Sequence, residues 1–330
     1  MRHETPFLEA PQRTRLDYLP IGLFGSVMGL TGLSVAWRLA GRYGAPEWVA
    51  PVIGAVAVGV FVALTISYAL KMFTAWSAVK AEFRHPIAGN LFGTFLISLL
   101  LLPIVLAEHH LELARGMWVA GAAGMLGFAW VIVSRWMSDQ QQVAHATPAW
   151  IIPVVGLLDL PLALPSLGLP PMPGLALFAL SVGLFFAIPL FTLIFSRLVF
   201  EPPMPEALRP TLMILIAPFA VGMSTYTSVT GQTDQFSTAL YMLTLAVLAV
   251  LLGQMRYLAR CCPFRVSWWA VSFPLAASAI AALRFAAARP GVFTDAVALS
   301  LLFLATMVIA GLFLRTIAGV ARGQLRALSS

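Results

Sequence analysis

Residues 48–71 read WVAPVIGAVAVGVFVALTISYALK, an apolar run with no charged side chain before Lys71. About 20 such residues are enough for a helix to cross the roughly 30 Å hydrocarbon core of a bilayer. A transmembrane β-barrel would instead need shorter stretches in which apolar and polar residues alternate. Nine further apolar segments lie at 20–40, 91–107, 113–135, 149–167, 174–198, 211–231, 236–258, 267–288 and 294–320. The sequence therefore predicts an all-α polytopic membrane protein with ten transmembrane helices.

The composition of the whole chain excludes several classes of protein. Of its 330 residues, 60% are hydrophobic and only 10% are charged, and the mean hydropathy is +0.90. A soluble domain has roughly a quarter of its residues charged, so we exclude a water-soluble enzyme and a disordered chain. The net charge of +7 comes from arginines scattered beside the apolar runs. Because these arginines form no basic stripe, we also exclude a nucleic-acid-binding protein.

The distribution of basic residues indicates how the ten spans are oriented. An even number of spans places both termini on one side, and fifteen of the 20 Lys and Arg residues then lie in segments on that side. Because cytoplasmic segments are enriched in Lys and Arg, we expect both termini to be cytoplasmic. The predicted domains are a retained tail at 1–19, a pore domain at 20–320 and a second tail at 321–330. The Arg- and Ala-rich composition suggests a bacterial source, and hence the inner membrane.

The odd-numbered and even-numbered spans differ in character. The even spans are long and mostly uninterrupted, whereas four odd spans contain an internal proline, at Pro103, Pro153, Pro218 and Pro274. Proline removes a helical hydrogen bond, and at membrane depth a broken helix is tolerated where protein or a water-filled cavity satisfies the backbone. Broken helices at corresponding positions of a repeat point to a transport path. We therefore expect five helical hairpins around a central pore, with bent odd helices inside and straight even helices outside.

Two groups of small or polar residues are candidates for lining that pore. In the first span, glycines spaced 3, 4 and 3 residues apart share one helix face, at Gly22, Gly25, Gly29 and Gly32. That face allows close helix packing, and Gly25 and Gly29 are also candidates to border a lumen. After Pro218 the seventh span carries a run of hydroxyl side chains that includes Ser224 and Tyr226. Such hydroxyls usually bond to their own helix backbone, and the alternative is that they replace part of an anion's hydration shell.

Catalytic and cofactor motifs are absent from the sequence. It contains no HExxH, GxxxxGK[ST], GxSxG or CxxC pattern, so we expect no enzyme activity, no cofactor and no metal. One polar turn, formed by Glu108, His109, His110 and Glu112, is interpreted as interfacial rather than metal-binding. Cys261 and Cys262 are interpreted as reduced, incidental thiols.

Ionisable residues are rare inside the predicted spans. Asp159 is the one candidate that we single out, and we expect it near the outer end of the fifth span, in an interfacial position. A path without acidic rings is a poor cation channel. Backbone N–H groups at helix breaks and hydroxyl side chains suit an anion better. The residues therefore favour an anion pathway.

Several segments together resemble a known family. They are LPIGLFGSVMGLTGLSVAW at 19–37, AEFRHP at 81–86, TPAWIIPVVG at 147–156, LRPTLMILIAPFAVGMSTY at 208–226, SWWAVSFPLAASA at 267–279 and RGQ at 322–324. This ordered set is similar to the tellurite-resistance/dicarboxylate transporter family, which includes bacterial TehA and the slow-type anion channels of plant guard cells. The likeness covers nearly the whole chain and is greatest to the TehA type.

The resemblance implies a fold, an assembly and a gate. It implies five hairpins around one pore per subunit, a homotrimer, and a pore closed by a phenylalanine of the ninth span. The matching residue is Phe273, and Phe92 or Phe95 on the third span is a candidate second pore aromatic. Without the resemblance, Phe273 would be interpreted as one of many packing phenylalanines, since the chain has 22.

The resemblance also implies a choice between two transport mechanisms. The first is a passive channel for chloride and nitrate, with dicarboxylates or tellurite as further candidates. The second is a proton-coupled carrier for malate and other C4-dicarboxylates, which needs a titratable group at membrane depth. We find no convincing group of that kind in the sequence, which favours the channel. A third interpretation, an enzyme that modifies tellurite, would need reactive thiols such as Cys261 and Cys262.

Overall fold

A computed structural model describes residues 16–261 and 264–329 of the chain. Most of the predicted tail at 1–19 and one of the two predicted thiols, Cys262, therefore lie outside the described residues. Ten helical segments in the described part are long and apolar enough to cross a membrane. They are span 1 (Ile21–Tyr43), span 2 (Val49–Thr74), span 3 (Ala88–Leu106), span 4 (Leu111–Ser138), span 5 (Pro148–Leu167), span 6 (Pro173–Phe200), span 7 (Glu206–Thr230), span 8 (Gln235–Gln254), span 9 (Val266–Ala288) and span 10 (Val292–Ala321).

These bounds confirm the ten predicted spans, and most ends agree to within three residues. The largest difference at a span start is in span 7, which begins at Glu206 rather than at residue 211. Its first turns, Glu206–Ile216, are a 3₁₀ helix that contains the charged Arg209. Because charged residues lower the local hydropathy, a prediction from hydropathy leaves this segment out of the span, although its backbone is already helical.

Odd and even spans form two concentric layers. Between 61% and 78% of the most apolar stretch is buried in the odd spans, against 17% to 39% in the even spans. A helix that is apolar on all sides can face lipid, and the even spans do so with large side chains such as Phe185 and Phe303. The predicted inner ring of five odd helices and outer ring of five even helices is confirmed.

All five odd spans begin as a 3₁₀ helix and continue as an α-helix. The 3₁₀ segments are Ile21–Phe24, Ala88–Phe92, Pro148–Ile151, Glu206–Ile216 and Val266–Val271. The even spans are single α-helices, and span 6 continues through Pro189. Single 3₁₀ turns are frequent at the starts of α-helices, but the runs of 6 residues in span 9 and 11 residues in span 7 are longer than usual. The repeated irregularity is on the face of the bundle where the odd spans begin, which we call the terminal face.

A buried ionic network anchors the terminal face. Glu82 lies on the short helix Trp76–Arg84, which connects spans 2 and 3. Its Oε1 accepts a hydrogen bond from the backbone N–H of Ile21 at 2.7 Å, and its Oε2 lies 2.7 Å from the Lys71 ammonium. Lys71 also donates to the Leu19 carbonyl at 2.6 Å. The AEFRHP segment thus caps the start of span 1.

Spans 1 and 9 pack more closely than ordinary side chains allow. A Cβ added at Gly29 would overlap the Ser272 side chain, and one added at Gly32 would lie 2.9 Å from the Ala276 Cβ. Ser272 donates from Oγ to the Gly25 carbonyl at 3.1 Å, across the two helices. In lipid, where apolar surfaces gain little by meeting each other, small residues of this kind hold helices together by close packing. The glycine face of span 1 is therefore a helix interface.

The described ends of the chain meet on the terminal face. The Arg326 guanidinium lies 3.0 Å from the Asp17 carboxylate. Arg326 belongs to a short helix, Leu325–Ser329, in which Leu328 packs back against Gly319 of span 10. The ends are therefore on one side, as an even number of spans requires.

Candidate anion pathway

Two cavities lie inside the ring of odd spans. The terminal-side cavity has a volume of about 320 Å³ and is bordered by the first halves of all five odd spans. Leu328 and Ser329 of the C-terminal helix also border it. The far-side cavity has a volume of about 220 Å³ and is bordered by the second halves of the same five spans. Within the described part of the chain, neither cavity is bordered by a residue of an even span.

Phe273 lies between the two cavities. It borders both of them, as does Val221 of span 7. Its side chain is 8% exposed, and its ring rests on Gly32, where an added Cβ would lie 3.6 Å from the ring Cδ2. Pro274, the next residue, borders the terminal-side cavity. The change from 3₁₀ helix to α-helix in span 9, between Val271 and Ser272, immediately precedes Phe273.

The helical geometry of span 5 places a carboxyl group, that of Asp159, beside the boundary between the two cavities. Residues Gly156–Ala163 are a 3₁₀ helix with Pro161 inside it. Side chains three residues apart are eclipsed in a 3₁₀ helix. Three residues of this 3₁₀ helix border the cavities, at Gly156, Asp159 and Leu162, and they follow that interval. Pro165 and Ser166, in the short α-helix that follows, also border the far-side cavity.

Asp159 is therefore not at the outer end of its span, as we expected from the sequence. It lies in the middle of span 5, is 2% exposed and borders the terminal-side cavity. Its Oδ1 is buried without a hydrogen-bond partner among the described residues. The predicted bounds of this span, 149–167, and the observed bounds, Pro148–Leu167, both place Asp159 near the middle, so the expectation of an outer position did not follow from the span itself. The structure thus puts an ionisable group at membrane depth.

The far-side cavity is the more polar of the two at its walls. Arg38 and Arg284 both border it, together with the hydroxyl residues Thr31 and Ser224. Arg284 donates from Nη1 to the backbone carbonyl of Ser224 at 3.1 Å. Arg38 forms an ion pair with Glu108 at 3.0 Å. A basic residue that faces an internal cavity at membrane depth is a default candidate for a functional site.

Sequence reasoning missed Arg284. It lies in AALRFAAAR, inside the ninth predicted span, but was counted among the basic residues of the loop that follows. A guanidinium there either extends to the membrane interface or faces protein or a cavity, and in the structure it faces the far-side cavity. Its place inside an apolar segment was the signal that would have identified it.

Of the glycines and prolines predicted to line the pore, some border a cavity and others are packed inside the bundle. Gly25 borders the terminal-side cavity, whereas Gly29 packs against Ser272. Pro103, Pro153 and Pro218 are buried within their spans and do not border either cavity. These three prolines lie in their helices away from the cavities. Of the four prolines predicted to line the pore, Pro274 alone borders a cavity.

The two candidate aromatic residues of span 3 pack against span 2, the connecting helix Trp76–Arg84 and the start of span 1. Phe92 makes edge contacts with Tyr68 and with Phe83, at centroid distances of 6.2 Å and 5.1 Å. Phe95 packs on Phe24 at 5.0 Å and stacks on Phe61 of span 2 at 5.9 Å. Neither borders the two cavities. The packing of the inner ring on the outer ring accounts for both side chains.

The remaining sequence candidates lie at or beyond the far ends of the spans. Tyr226 donates from its hydroxyl to the Asp234 carboxylate, and this bond lowers the pKa of Asp234. Tyr226 does not border either cavity. In the predicted polar turn, Glu108 pairs with Arg38 and Glu112 pairs with Arg115 at 2.7 Å. Within residues 16–261 and 264–329, no group of three or more His, Cys, Asp and Glu side chains is arranged to hold a metal ion.

Comparison with known proteins shows the family. A family model described as voltage-dependent anion channel matches residues 18–317. The chain belongs to the voltage-dependent anion channel family. This confirms the resemblance found in the sequence motifs, and the family is one of anion channels and transporters rather than enzymes.

Individual relatives are distant. The chain is 27% identical over 307 residues to the S-type anion channel SLAH3 of Arabidopsis thaliana, covering 90% of this chain and 48% of that protein. It is 25% identical to the guard cell S-type anion channel SLAC1 of the same plant, over 90% of this chain and 55% of that protein. It is 26% identical to the tellurite resistance protein TehA homolog of Haemophilus influenzae, over 81% of each. The chain thus spans about half the length of the plant relatives it matches.

Proposed function

We propose that this protein is a membrane anion channel whose pathway runs through both cavities and is closed by Phe273. The observation that carries the proposal is that one aromatic side chain borders two cavities that are otherwise aligned within the inner ring. Membership of an anion channel family supports it. The inferred permeating ions are small anions, with chloride and nitrate first, and dicarboxylates or tellurite as further candidates.

The charges along the pathway favour anions over cations. Among the described residues, the charged side chains that border the cavities are Arg38, Arg265, Arg284 and Asp159. Arg38 is paired with Glu108, so the net positive charge of the far-side cavity comes from Arg284. Cation pathways are typically lined by acidic rings. A cation that passes Arg284 would meet a fixed positive charge in surroundings where Coulomb interactions are stronger than in water.

Phe273 would close the pathway by withholding hydrogen bonds. An anion in water is held by donors on every side, whereas a phenyl ring offers none. Stripping part of that shell in apolar surroundings costs several kcal/mol for a polar group and more for an ion. The same ring presents no obstacle when it turns aside, because both neighbouring cavities are already open.

Orientation and assembly complete the proposal. The excess of basic residues on the terminal face supports a cytoplasmic location for both ends, so that the terminal-side cavity would open to the cytoplasm of a bacterial cell. The homotrimer stays a prediction from the family resemblance. Labelling of single cysteines at the two faces in intact cells tests the orientation, and native mass measurement in nanodiscs tests the assembly.

The function is tested by ion substitution in planar bilayers. We expect the reversal potential to follow the chloride or nitrate gradient and to be unaffected when sodium is replaced by a large organic cation. A reversal potential that follows the sodium or potassium gradient would contradict an anion channel. Phe273→Ala provides the larger current for this measurement if wild-type currents are small.

Asp159 supports a second candidate function, the proton-coupled carrier of C4-dicarboxylates. A carrier needs a titratable group at membrane depth, and Asp159 is such a group beside the junction of the cavities. For a carrier, malate uptake into proteoliposomes would follow an imposed proton gradient, and Asp159→Asn would abolish that dependence. For a channel, anion flux in the Asp159→Asn variant would still follow the electrical potential and ignore the proton gradient.

A further inference from the structure

Arg284 brings a positive charge into the far-side cavity. The guanidinium has five N–H donors, and the described contacts account for one, from Nη1 to the Ser224 carbonyl. That bond fixes the position of the side chain without neutralising it, since a carbonyl carries no net charge. Within the described part of the chain, Arg284 forms no ion pair with an acidic residue. The group is therefore a positioned cation with further donors available to a ligand.

Two hydroxyl groups in the same cavity wall lack partners. Thr31 is 1% exposed and Ser224 is 3% exposed, and both border the far-side cavity. Neither Thr31 Oγ1 nor Ser224 Oγ has a hydrogen-bond partner among the described residues. Most buried hydroxyls are satisfied, and serine and threonine in membrane helices usually bond to their own backbone, as Ser278 does. Two unsatisfied hydroxyls beside an unpaired guanidinium form an unfilled set of donors.

The net charge of this cavity wall is one positive unit. The second arginine, Arg38, lies 3.0 Å from the Glu108 carboxylate, so that pair contributes no net charge. Asp159 borders the other cavity and lies on the opposite side of Phe273 along the pathway. One uncompensated positive charge in a poorly polarisable environment is balanced by one negative charge.

We propose that the far-side cavity is a binding site for a single monovalent anion, held by Arg284 and by the hydroxyls of Thr31 and Ser224. The inference rests on the proposed channel function and adds a site at which the ion waits beside Phe273. A halide or a planar oxyanion such as nitrate matches the single charge and the three sets of donors. A dicarboxylate brings a second negative charge that no residue of this wall balances. The site therefore makes the pathway selective for monovalent anions.

Binding is measured directly, without ion flow. Purified protein in nanodiscs is titrated with ³⁶Cl⁻ in a scintillation proximity assay, with unlabelled nitrate or malate as competitors. We expect saturable chloride binding that nitrate displaces and that malate at equal concentration does not. Arg284→Gln should weaken chloride affinity by roughly 10- to 100-fold, the value of a charge-assisted hydrogen bond, while Arg284→Lys keeps most of it. Tighter binding of malate than of chloride to the wild type would overturn the proposal.

Two further sets of variants separate binding from folding and from bulk charge. Ser224→Ala and Thr31→Val remove hydroxyls that make no internal hydrogen bond, so both proteins should fold normally while chloride affinity falls about threefold to tenfold each. Arg289→Gln, an exposed arginine five residues after Arg284, removes the same charge outside the cavity and should leave affinity unchanged. Equal losses in the Arg284→Gln and Arg289→Gln proteins would overturn the site.

Failure of this inference and failure of the channel function give different results. Currents of the Phe273→Ala protein report the channel, and chloride binding reports the site. If Phe273→Ala passes anions but Arg284→Gln binds chloride as the wild type does, the channel stands and the site is wrong. If Phe273→Ala passes no anions, the proposed function fails, whatever the binding result.

Discussion

Replacing Phe273 by alanine removes the aromatic side chain that borders both cavities, and leaves Val221 and the rest of span 9 in place. In the structure the ring lies between spaces of about 320 Å³ and about 220 Å³. Alanine at this position would join them into one continuous path. We therefore expect Phe273→Ala to increase anion conductance strongly, and Phe273→Leu to increase it less because the leucine side chain still fills part of the junction.

The size of the increase follows from the hydrogen bonds that an ion loses beside the ring. If the phenyl face withholds two of the donors that water supplies, at about 1–3 kcal/mol each, the barrier falls by roughly 3 kcal/mol when the ring is removed. Each 1.4 kcal/mol corresponds to about a tenfold change in rate, so the expected increase is roughly 100-fold. The loss of a core phenylalanine costs about 3–5 kcal/mol of stability. The lower end of that range applies here, since the ring already adjoins open space.

The assay is the macroscopic chloride current at matched surface expression, with Phe285→Ala as the control. Phe285 is on the same span, is 5% exposed and stacks on Tyr241 at a centroid distance of 4.4 Å, away from both cavities. Its replacement should lower stability similarly and leave conductance unchanged. A folded Phe273→Ala protein whose current is within twofold of the wild type would refute the gate. An equal increase in the Phe285→Ala protein would refute it as well, since it would show general loosening of the bundle.

Two further predictions concern stability, measured as the thermal unfolding midpoint in detergent. Gly29→Ala adds a Cβ that overlaps Ser272 and should cost about 1–3 kcal/mol, whereas Gly59→Ala, with open space around the added Cβ, should gain about 0.5–1 kcal/mol. Equal midpoints for the two variants would contradict the close helix contact. Lys71→Met leaves the Glu82 carboxylate without its ion pair and should cost about 3–5 kcal/mol, part of which Glu82→Gln in the same chain restores. An unchanged midpoint in the single variant would mean that the pair is solvated.

The architecture could be predicted because each span has a local signature. A run such as 48–71 needs only hydropathy and length to be recognised, and the prolines of the odd spans mark which helices are inside. Exposure to lipid or to neighbouring helices follows from that alternation. The two-layer arrangement therefore follows from the amino-acid sequence alone.

The walls of the cavities were less predictable, because they depend on helix type. Gly25 was identified from an α-helical spacing, and it borders the terminal-side cavity. The expected position of Asp159 at the outer end of span 5 was wrong, although the predicted bounds 149–167 already put the residue near the middle of the span. Its facing depends on helix type, because residues at intervals of three share a face in the 3₁₀ helix of this stretch. Hydropathy does not distinguish the two helix types, so it does not determine which way this residue faces.

The second wrong assignment from the sequence concerned a charged residue near the end of a span, Arg284. Arg284 was assigned to a loop by the count of basic residues from which the orientation is predicted. A basic residue in water beside a span influences the orientation of the chain in the membrane, whereas a basic residue in a cavity can bind a ligand. The sequence alone does not distinguish the two, because both are arginine or lysine. The structure separates them through the contact with the Ser224 carbonyl.

The close contact between spans 1 and 9 also bears on how fast the pathway changes state. A Cβ added at Gly29 would overlap Ser272, so the two backbones have no room to approach each other. Opening by rotation of the Phe273 side chain needs no movement of these two backbones. Exposed side chains change rotamer in about picoseconds to nanoseconds, whereas collective helix shifts take about microseconds to milliseconds. Phe273 is 8% exposed and its ring rests on Gly32, so its rotation is slower than that of an exposed side chain. Openings by side-chain rotation that last less than about a microsecond would be averaged by a recording amplifier, so a small steady current with excess noise, rather than discrete steps, would identify this form of opening.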